Sequence, residues 1–239
     1  MPDFGRAKHE KYTIDVPAST PSYAALPWTC ADATMLNVYF EVRKEILLDW
    51  LPSEYARTSP AYCRLVVCDI AKSPIGPFRD ATLALGCRLN MMPAGFAVAS
   101  ISNSHTVVGV GIAERGIPNT FGKIEFDADR HRAHGVVSDD KGPLVEVTLP
   151  LLQTIEPSRL AYDHLDAIKT ARGGSGMKTE LVVAAPDFKI EHAAICKKAH
   201  IEYPSERPES AWQILNNRNI VSAQLVRGTR TFAAANPPR

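Results

Sequence analysis

The strongest constraint on the fold of this 239-residue chain is a succession of β-rich segments at hairpin spacing. Glycine, proline and Asn-Ser turns separate the segments, and their β-branched and aromatic residues are those that strands favour. Because strands do not alternate with long helices, the order disfavours a parallel Rossmann-type sheet. We predict strands at 36–42, 63–71, 79–91, 95–102, 106–113, 123–127, 134–138, 144–150, 180–185, 190–200 and 221–232, and short helices at 43–51 and 210–215.

Many strands of medium length with few helices predict an α+β fold that is mainly antiparallel β. Such a sheet avoids exposed edges when it closes as a barrel or a folded sandwich. Residues 1–30 are polar and interrupted by prolines. We therefore predict an N-terminal arm over 1–30 and a single domain over 31–239.

Composition argues against several classes of function. The formal net charge is +1 and the basic residues are scattered, which argues against nucleic-acid binding. No apolar run is as long as a membrane helix and no signal-peptide core is visible, so we predict a cytoplasmic protein without membrane contact. Five cysteines without paired spacing indicate reduced thiols rather than a disulfide framework or a zinc site. His131 and His134 lie in a charged segment typical of a hairpin tip, which does not predict metal binding.

The segment GIAERGIPNTFGK, which begins at Gly111, resembles a motif of the acetoacetate decarboxylase family. That family carries Gly-Arg-Glu, a four-residue spacer ending in an aromatic residue, and then Pro-Lys-Lys. The distance from Gly111 to Pro118 matches this spacing. Residues 33–54 (ATMLNVYFEVRKEILLDWLPSE), the strand at 63–71 and the turn IGPFRD at 75–80 resemble further family segments in the same order.

The resemblance implies both a fold and a chemistry. The family fold is a barrel-like β-cone with a few helices that encloses an apolar cavity. The first lysine of the family pair forms a Schiff base with a ketone substrate, and desolvation keeps its amine neutral. The resemblance also implies a small-molecule substrate, no cofactor or metal, and assembly into a homo-oligomer.

Three departures from the family pattern affect this chemistry. Asn119 and Thr120 stand where the family has its lysine pair, and an amide cannot form an imine. Ile112 and Ala113 replace the Arg-Glu of the motif, and Ala33 falls where an early arginine handles the substrate carboxylate. We therefore predict a site that works without a Schiff base on uncharged carbonyl compounds.

Four polar residues are candidates for catalysis. Asn119 in a dry cavity would donate a hydrogen bond to a carbonyl or enolate oxygen, worth roughly 3 kcal/mol in the transition state; alternatively it is a turn residue. Thr120 would point to the opposite face of an extended segment. Asp80 stands where the family has its cavity glutamate and would act as a general acid or base if desolvated. Arg88 is a charge in the middle of a predicted strand, so it either binds the substrate or faces solvent.

Further residues are candidates for substrate binding. Glu114 and Arg115 precede Pro118 and would serve as an acid/base and an anion clamp, unless they lie in a solvent-exposed loop. Four large apolar or aromatic residues would line either the cavity or the ordinary core, namely Tyr39, Met91, Phe96 and Phe121.

These features predict a cofactor-independent enzyme of secondary metabolism that acts on a hydrophobic, carbonyl-containing small molecule. The reaction would be a cyclisation or isomerisation, including a pericyclic one, or a decarboxylation or dehydration. One alternative is a non-catalytic binding protein for an apolar ligand. Another is a Schiff-base decarboxylase with a relocated lysine such as Lys123, which lies roughly 13 Å along a strand from Asn119.

Overall fold

The structure is a computed structural model. It describes residues 3–8, 13–15, 23–89, 92–160, 168–173, 180–184, 187–214 and 219–234. Helices within these residues are α1 (Lys44–Trp50), α2 (His105–Arg115) and α3 (Ala211–Ile214). Strands within them are β1 (Thr13–Asp15), β2 (Trp28–Glu41), β3 (Ala56–Arg57), β4 (Tyr62–Lys72), β5 (Phe78–Leu89), β6 (Met92–Ser102), β7 (Asn119–Phe121), β8 (Lys123–Ala128), β9 (Ala133–Asp139), β10 (Gly142–Leu149), β11 (Leu152–Ile155), β12 (Ile168–Gly173), β13 (Glu180–Ala184), β14 (Asp187–Cys196), β15 (His200–Glu202) and β16 (Asn219–Phe232).

The strands form two sheets. The larger has the order β1-β12-β6-β5-β4-β2-β16-β14-β11, with β13, β3 and β7 paired to its sides, and the smaller has the order β15-β10-β9-β8. Most neighbours are antiparallel, and β1–β12, β12–β6 and β6–β7 are parallel. The predicted mainly antiparallel α+β fold is thus confirmed. The predicted closure of the sheet into a barrel is wrong, since β1 and β11 end the larger sheet without pairing to each other in the described part of the chain.

One face of the larger sheet packs on the smaller sheet and on α1. Successive side chains of a strand point to opposite faces, so alternate residues of β2 share this side. Leu36, Val38 and Phe40 of β2 are fully buried here with Leu47 of α1 and Val147 of β10. We call this apolar cluster the first core.

The opposite face of the larger sheet carries a second core with many polar neighbours. Met35 of β2, Val66 of β4 and Phe78 of β5 are buried here, and α2 packs on them through Val107 and Val110. Many polar side chains on or against this face are also buried, among them Asn37, Arg64, Asp80, Arg115, Asn119, Gln224 and Arg230.

The predicted strand at 106–113 is wrong, because these residues belong to α2. Ser104 begins the helix, and its Oγ accepts a hydrogen bond from the Val107 N–H at 3.5 Å. Gly116 ends it in the left-handed conformation, with φ 60°. Val107 and Gly111 lie four residues apart, so both face the sheet. The two caps and this buried stripe outweigh the strand preference of the β-branched residues in the segment.

The strand predicted at 36–42 is longer than expected and begins at Trp28. Trp28 and Cys30 are buried in the second core. Residues 28–30 of the predicted arm therefore form part of the larger sheet. Nearer the N-terminus, the Gly5 and Ala7 N–H groups donate to backbone carbonyls of residues 55 and 51.

Candidate functional site

A buried ion pair joins two distant strands on the face of the second core. Nη1 of Arg230 in β16 lies 3.1 Å and 3.2 Å from the two carboxylate oxygens of Asp80 in β5. Both side chains are more than nine-tenths buried. Two strands, β4 and β2, separate β5 from β16, and the strand registers set Arg230 about five residues further along the sheet than Asp80, so in a flat sheet their backbones would stand roughly 20 Å apart. The side chains meet because the sheet curves, which makes this face concave.

Arg115 adds a second cation to the site. It is the last residue of α2, and 4% of its surface is exposed. Its guanidinium carbon lies 4.9 Å from the ring centre of Phe232, and that of Arg230 lies 4.3 Å from the same centre. The Arg115 Nε and Nη2 are buried without a hydrogen-bond partner in the part of the chain that the structure describes. Burial, and then repulsion from Arg230, lowers the pKa of Arg115 to about 10.

The charges of Asp80, Arg115 and Arg230 do not cancel. Asp80, Arg115 and Arg230, which we call the charged cluster, carry one negative and two positive charges. The neighbouring Cys30 and Cys68 add no negative charge, because burial raises the pKa of Cys30 to about 11 and that of Cys68 to about 12. A buried cation with unused donors is unfavourable unless an anion accompanies it. The cluster can therefore hold an anionic group such as a carboxylate.

Asn119 lies between β6 and α2, the helix that ends in Arg115. Its Nδ2 donates to the Val107 carbonyl at 3.3 Å, and since a carbonyl can only accept, this contact fixes the orientation of the amide. Its Oδ1 is buried and has no hydrogen-bond partner among the described residues. A Cβ at Gly111 would stand 2.9 Å from this Nδ2, so the glycine makes room for the amide. The Asn119 nitrogen thus already serves the helix, and the oxygen is the atom left for a ligand.

Two buried hydroxyls connect Asn119 with the strand that carries Asp80. Ser100 of β6 lies opposite Asn119 on one side and Thr82 of β5 on the other. The Ser100 and Thr82 hydroxyl oxygens are 3.1 Å apart, and Ser100 Oγ donates to the Ala81 carbonyl at 2.9 Å. Neither hydroxyl was predicted from the sequence, since serine and threonine in a β-rich segment carry no distinctive signal.

Arg230 was also missed, although a signal existed. It stands two residues before Phe232 in a segment rich in β-branched residues, so both side chains point to the same face of β16. A charge at such a position is unusual, and the same reasoning was applied to Arg88. The structure places Arg88 elsewhere: it is exposed and lies eight residues after Asp80 near the end of β5.

Residues around Asn119 that were predicted for the site lie at the surface. Thr120 is exposed, and its Oγ1 donates to the Ser100 carbonyl at 3.3 Å. Phe121 is half exposed, and its ring stacks on His105 with the centres 4.0 Å apart. Lys123 is exposed and bonds the Glu125 carboxylate at 2.5 Å. Every lysine whose side chain the structure describes is exposed.

The other predicted binding residues fall in three environments. Glu114 is half-buried and accepts a hydrogen bond from the Tyr23 hydroxyl at 2.8 Å. Tyr39 is buried on the face of the second core, where its ring centre lies 5.6 Å from the Arg64 guanidinium carbon. Phe96 belongs to the first core. Met91 lies outside the described residues.

No group of three or more His, Cys, Asp and Glu side chains within the described residues could hold a metal ion. In the same residues, no helix is long and apolar enough to cross a membrane.

A comparison with models of protein families matches residues 15–236 to acetoacetate decarboxylase (ADC). The chain belongs to the acetoacetate decarboxylase family. Among solved structures, acetoacetate decarboxylase from Legionella pneumophila subsp. pneumophila str. Philadelphia 1 is 13% identical, with a TM-score of 0.77 over 97% of this chain and 94% of that one. A search of curated proteins finds no match.

Two further solved structures that resemble this acetoacetate decarboxylase family member in fold are of enzymes. An acetoacetate decarboxylase-like enzyme from Sphingomonas wittichii RW1 is 15% identical, with a TM-score of 0.74 over 89% of this chain and 92% of that one. The enduracididine biosynthesis enzyme MppR, complexed with pyruvate, is 13% identical, with a TM-score of 0.74 over 92% of each chain. These structural similarities show a shared fold.

In this member of the acetoacetate decarboxylase family, the segment GIAERGIPNTFGK forms the end of α2, a turn at Gly116 and the whole of β7. Arg115 and Asn119 lie on either side of that turn, and both are buried. The segment therefore delivers a cation and an amide to the face of the second core.

Proposed function

We propose that this chain is an enzyme that binds a carbonyl-containing carboxylic acid through Arg115 and transforms it without forming a Schiff base. The observation that carries the proposal is the Nε and Nη2 of Arg115, which are buried without a partner among the residues that the structure describes and lie beside the Asp80–Arg230 pair. A carboxylate would accept from Arg115 and balance the second positive charge. This differs from the uncharged substrate expected from the sequence, because that expectation counted the loss of a cation at Ala33 and did not include Arg230.

The structure of MppR with pyruvate supports this substrate class by analogy, since pyruvate carries a carbonyl beside a carboxylate. In our proposal Arg115 fixes the carboxylate, which places the adjacent carbonyl near Asp80. A fixed substrate reacts faster because its translational and rotational freedom is already lost. Asp80 is the charged cluster's proton-accepting group and would take a proton from the carbon next to the carbonyl.

Binding a carboxylate in this way favours some reactions over others. Decarboxylation converts the carboxylate to neutral carbon dioxide, so a cation that binds the carboxylate stabilises the reactant more than the transition state. Dehydration, isomerisation and cyclisation keep the carboxylate charged, and the cation does not oppose them. Among the reactions predicted from the sequence, we therefore favour these three, in a pathway of secondary metabolism.

Pyruvate binding, measured by titration calorimetry, tests the carboxylate site. We expect Arg115→Met to weaken binding at least tenfold through loss of a charge-assisted contact. Lys123→Met removes an exposed cation and should leave binding unchanged. Equal affinity of the native protein and the Arg115 variant would contradict the proposal.

Borohydride reduction in the presence of pyruvate, followed by mass spectrometry, tests the claim that no Schiff base forms. We expect no increase in the mass of the native chain. A pyruvate-dependent adduct on any lysine would overturn this claim and favour the alternative of a relocated lysine.

A non-catalytic binding protein remains the second candidate, because Arg230 contacts both oxygens of Asp80 and so restrains the carboxylate. Asp80→Asn separates the two functions. It removes the negative charge that competes with the ligand, so pyruvate affinity should hold or rise in both cases. Exchange of the pyruvate methyl protons with deuterated water, followed by NMR, should then be at least about 100-fold slower in the variant if Asp80 is the base. A native protein that binds pyruvate without any such exchange would favour the binding protein.

A further inference from the structure

A row of polar side chains crosses the larger sheet next to the charged cluster. Paired residues of neighbouring strands point to the same face, so the strand registers define the row. From β7 to β11 its members are Asn119, Ser100, Thr82, Val66, Asn37, Gln224, Ile195 and Gln153. Six of these eight residues carry an amide or a hydroxyl. An ordinary buried sheet face does not need such a row, because buried polar groups are unfavourable unless each finds a partner.

Within the part of the chain that the structure describes, two neighbours in this row have hydrogen-bonding atoms without partners. The Asn37 Oδ1 accepts from Arg64 Nε and Nη2 at 3.1 Å and 2.7 Å, which leaves the Asn37 Nδ2 buried and unpartnered among the described residues. Gln224 Nε2 donates to the Ser222 hydroxyl at 3.2 Å, and its Oε1 is likewise buried without a partner there. Asn37 and Gln224 lie directly opposite each other. Together they offer one donor and one acceptor side by side.

Gln224 also lines a cavity of about 590 Å³ between β11, β14 and β16. This volume is within the range of small-molecule sites. Ile155 and Leu160 line it as well and pack against the second core, so the cavity lies on the same side of the sheet as the charged cluster. Gln153 and Thr154 on its wall are exposed, and Gln224 is 4% exposed. The cavity therefore leads from solvent towards the buried amide.

The separation from the charged cluster can be estimated from the registers. Asn37 lies two strands across and one row along from Asp80, and Gln224 lies one strand further. In a flat sheet these steps amount to about 12 Å and about 16 Å, and the curvature of the sheet shortens both. An extended small molecule can span such a distance.

We propose that Asn37 and Gln224 form a distal subsite that binds a carboxamide-like group of the substrate, so that the substrate is an elongated oxo acid with a neutral amide at its far end. This inference rests on the proposed function, because Arg115 holds the carboxylate end. A carboxamide carries one acceptor and two donors, so it satisfies the Asn37 Nδ2 and the Gln224 Oε1 together. An apolar group of the same size would leave both atoms unpartnered.

Calorimetric titration with two matched probes tests the distal subsite. Both are straight-chain 2-oxo acids that span about 12 Å; one ends in a primary carboxamide and the other in an isopropyl group of similar shape. We expect the native protein to bind the carboxamide probe about tenfold more tightly, and Gln224→Met to bind the two probes equally. Gln153→Met is the matched control: it makes the same change at an exposed position of the same cavity and should keep the preference.

A stability measurement and a third, shorter ligand distinguish failure of the distal subsite from failure of the carboxylate site. Met has the size of Gln and needs no hydrogen bond, so Gln224→Met should unfold at the same urea concentration as the native protein or a higher one. Equal binding of the two probes by the native protein, or a preference retained in Gln224→Met, would overturn the distal subsite. Pyruvate is too short to reach Gln224, so pyruvate binding that survives Arg115→Met would overturn the proposed carboxylate site alone. If neither long probe binds while pyruvate does, the elongated substrate is wrong and the carboxylate site stands.

Discussion

Strand β2 is buried on both faces of the larger sheet, but the two faces differ in chemistry. In β2, Leu36, Val38 and Phe40 face the first core, where the neighbours are apolar. Between them, Met35, Asn37 and Tyr39 face the second core, where arginines, a carboxylate and amides are also buried. The first face stabilises the fold by removing apolar surface from water. The second carries groups that are unfavourable inside a protein unless they are paired, and this observation is the basis of our proposal that this face binds a ligand.

The largest effect on stability should follow truncation on the first face. Phe40→Ala removes a ring that is 1% exposed, and we expect it to lower the free energy of unfolding by about 3–5 kcal/mol. Val221→Ala, at a position that is 56% exposed, should change it by less than about 0.5 kcal/mol. Urea unfolding followed by circular dichroism measures both. A small loss for Phe40→Ala would mean that the first core does not dominate stability.

The next largest loss of stability should follow removal of the Asp80 carboxylate on the second face. Asp80→Asn leaves two buried guanidinium groups without a counter-ion, and we expect a loss of about 3 kcal/mol. Added pyruvate should restore part of this loss, because an anion that binds the folded state stabilises it. Unfolding in the presence and absence of pyruvate measures the recovery, and no recovery would argue against an anion site.

Substitution of Gly111, which contacts Asn119, should have an intermediate effect on stability, and this effect should depend on the residue at position 119. Gly111→Ala places a methyl group 2.9 Å from the Asn119 Nδ2, and we expect a loss of about 1–3 kcal/mol. In an Asn119→Gly background, which also removes the Cβ that would stand 3.1 Å from the new methyl group, the same change should be neutral or stabilising, since alanine favours a helix by about 1 kcal/mol over glycine. A double-mutant cycle from urea unfolding gives the coupling energy. Equal losses in both backgrounds would show that Gly111 does not make room for Asn119.

Arg115→Met should distinguish the two faces, because it should weaken ligand binding without lowering the free energy of unfolding. Removal of a buried cation whose Nε and Nη2 have no hydrogen-bond partner among the described residues should leave the free energy of unfolding unchanged or raise it by about 1 kcal/mol. Pyruvate binding should weaken at least tenfold in the same variant. A variant that is strongly destabilised would mean that Arg115 supports the fold as residues of the first core do.

The smallest effect concerns the reactivity of the thiols, which lie on both faces. All five cysteines are free and buried. Burial raises the pKa of Cys63 in the first core far above its usual value, whereas the pKa of Cys30 in the second core rises to about 11. We expect slow modification of the native protein by a thiol reagent at pH 8, with Cys30 before Cys63. Peptide mapping at successive times would reveal the order, and the reverse order would indicate that the first core opens more readily.

Local features of the fold could be predicted from the sequence. The hairpins from β4 to β6 and from β8 to β10 follow from alternating residues and turn signals, and Pro52 correctly places the end of α1. The segment at 106–113 was misassigned because Val, Thr and Ile favour strands, while Ser104 and Gly116 begin and end a helix that packs on the sheet. Local preference was overridden by tertiary contacts that a window of sequence does not contain.

The site could be predicted only in part for the same reason. Asp80, Arg115 and Asn119 were selected from a motif, and the structure buries all three on one face. Arg230 lies 150 residues from Asp80, and the two meet because the sheet curves. Curvature is a property of many strands together, so no local pattern reveals it.

The position of Arg230 has a consequence for how such families are traced through evolution. Ala33, where the family resemblance predicts an arginine, pairs with Gly228, two residues before Arg230, so we propose that the neighbouring strand supplies the cation that position 33 lacks. A sequence alignment read column by column would record alanine at position 33 as the loss of a cation. It would treat Arg230 as an unrelated gain. In a curved sheet, arginines at several backbone positions can place a guanidinium group at the same point in space. Evolutionary relationships are therefore better traced by the position of the charge in the structure than by the residue number that carries it.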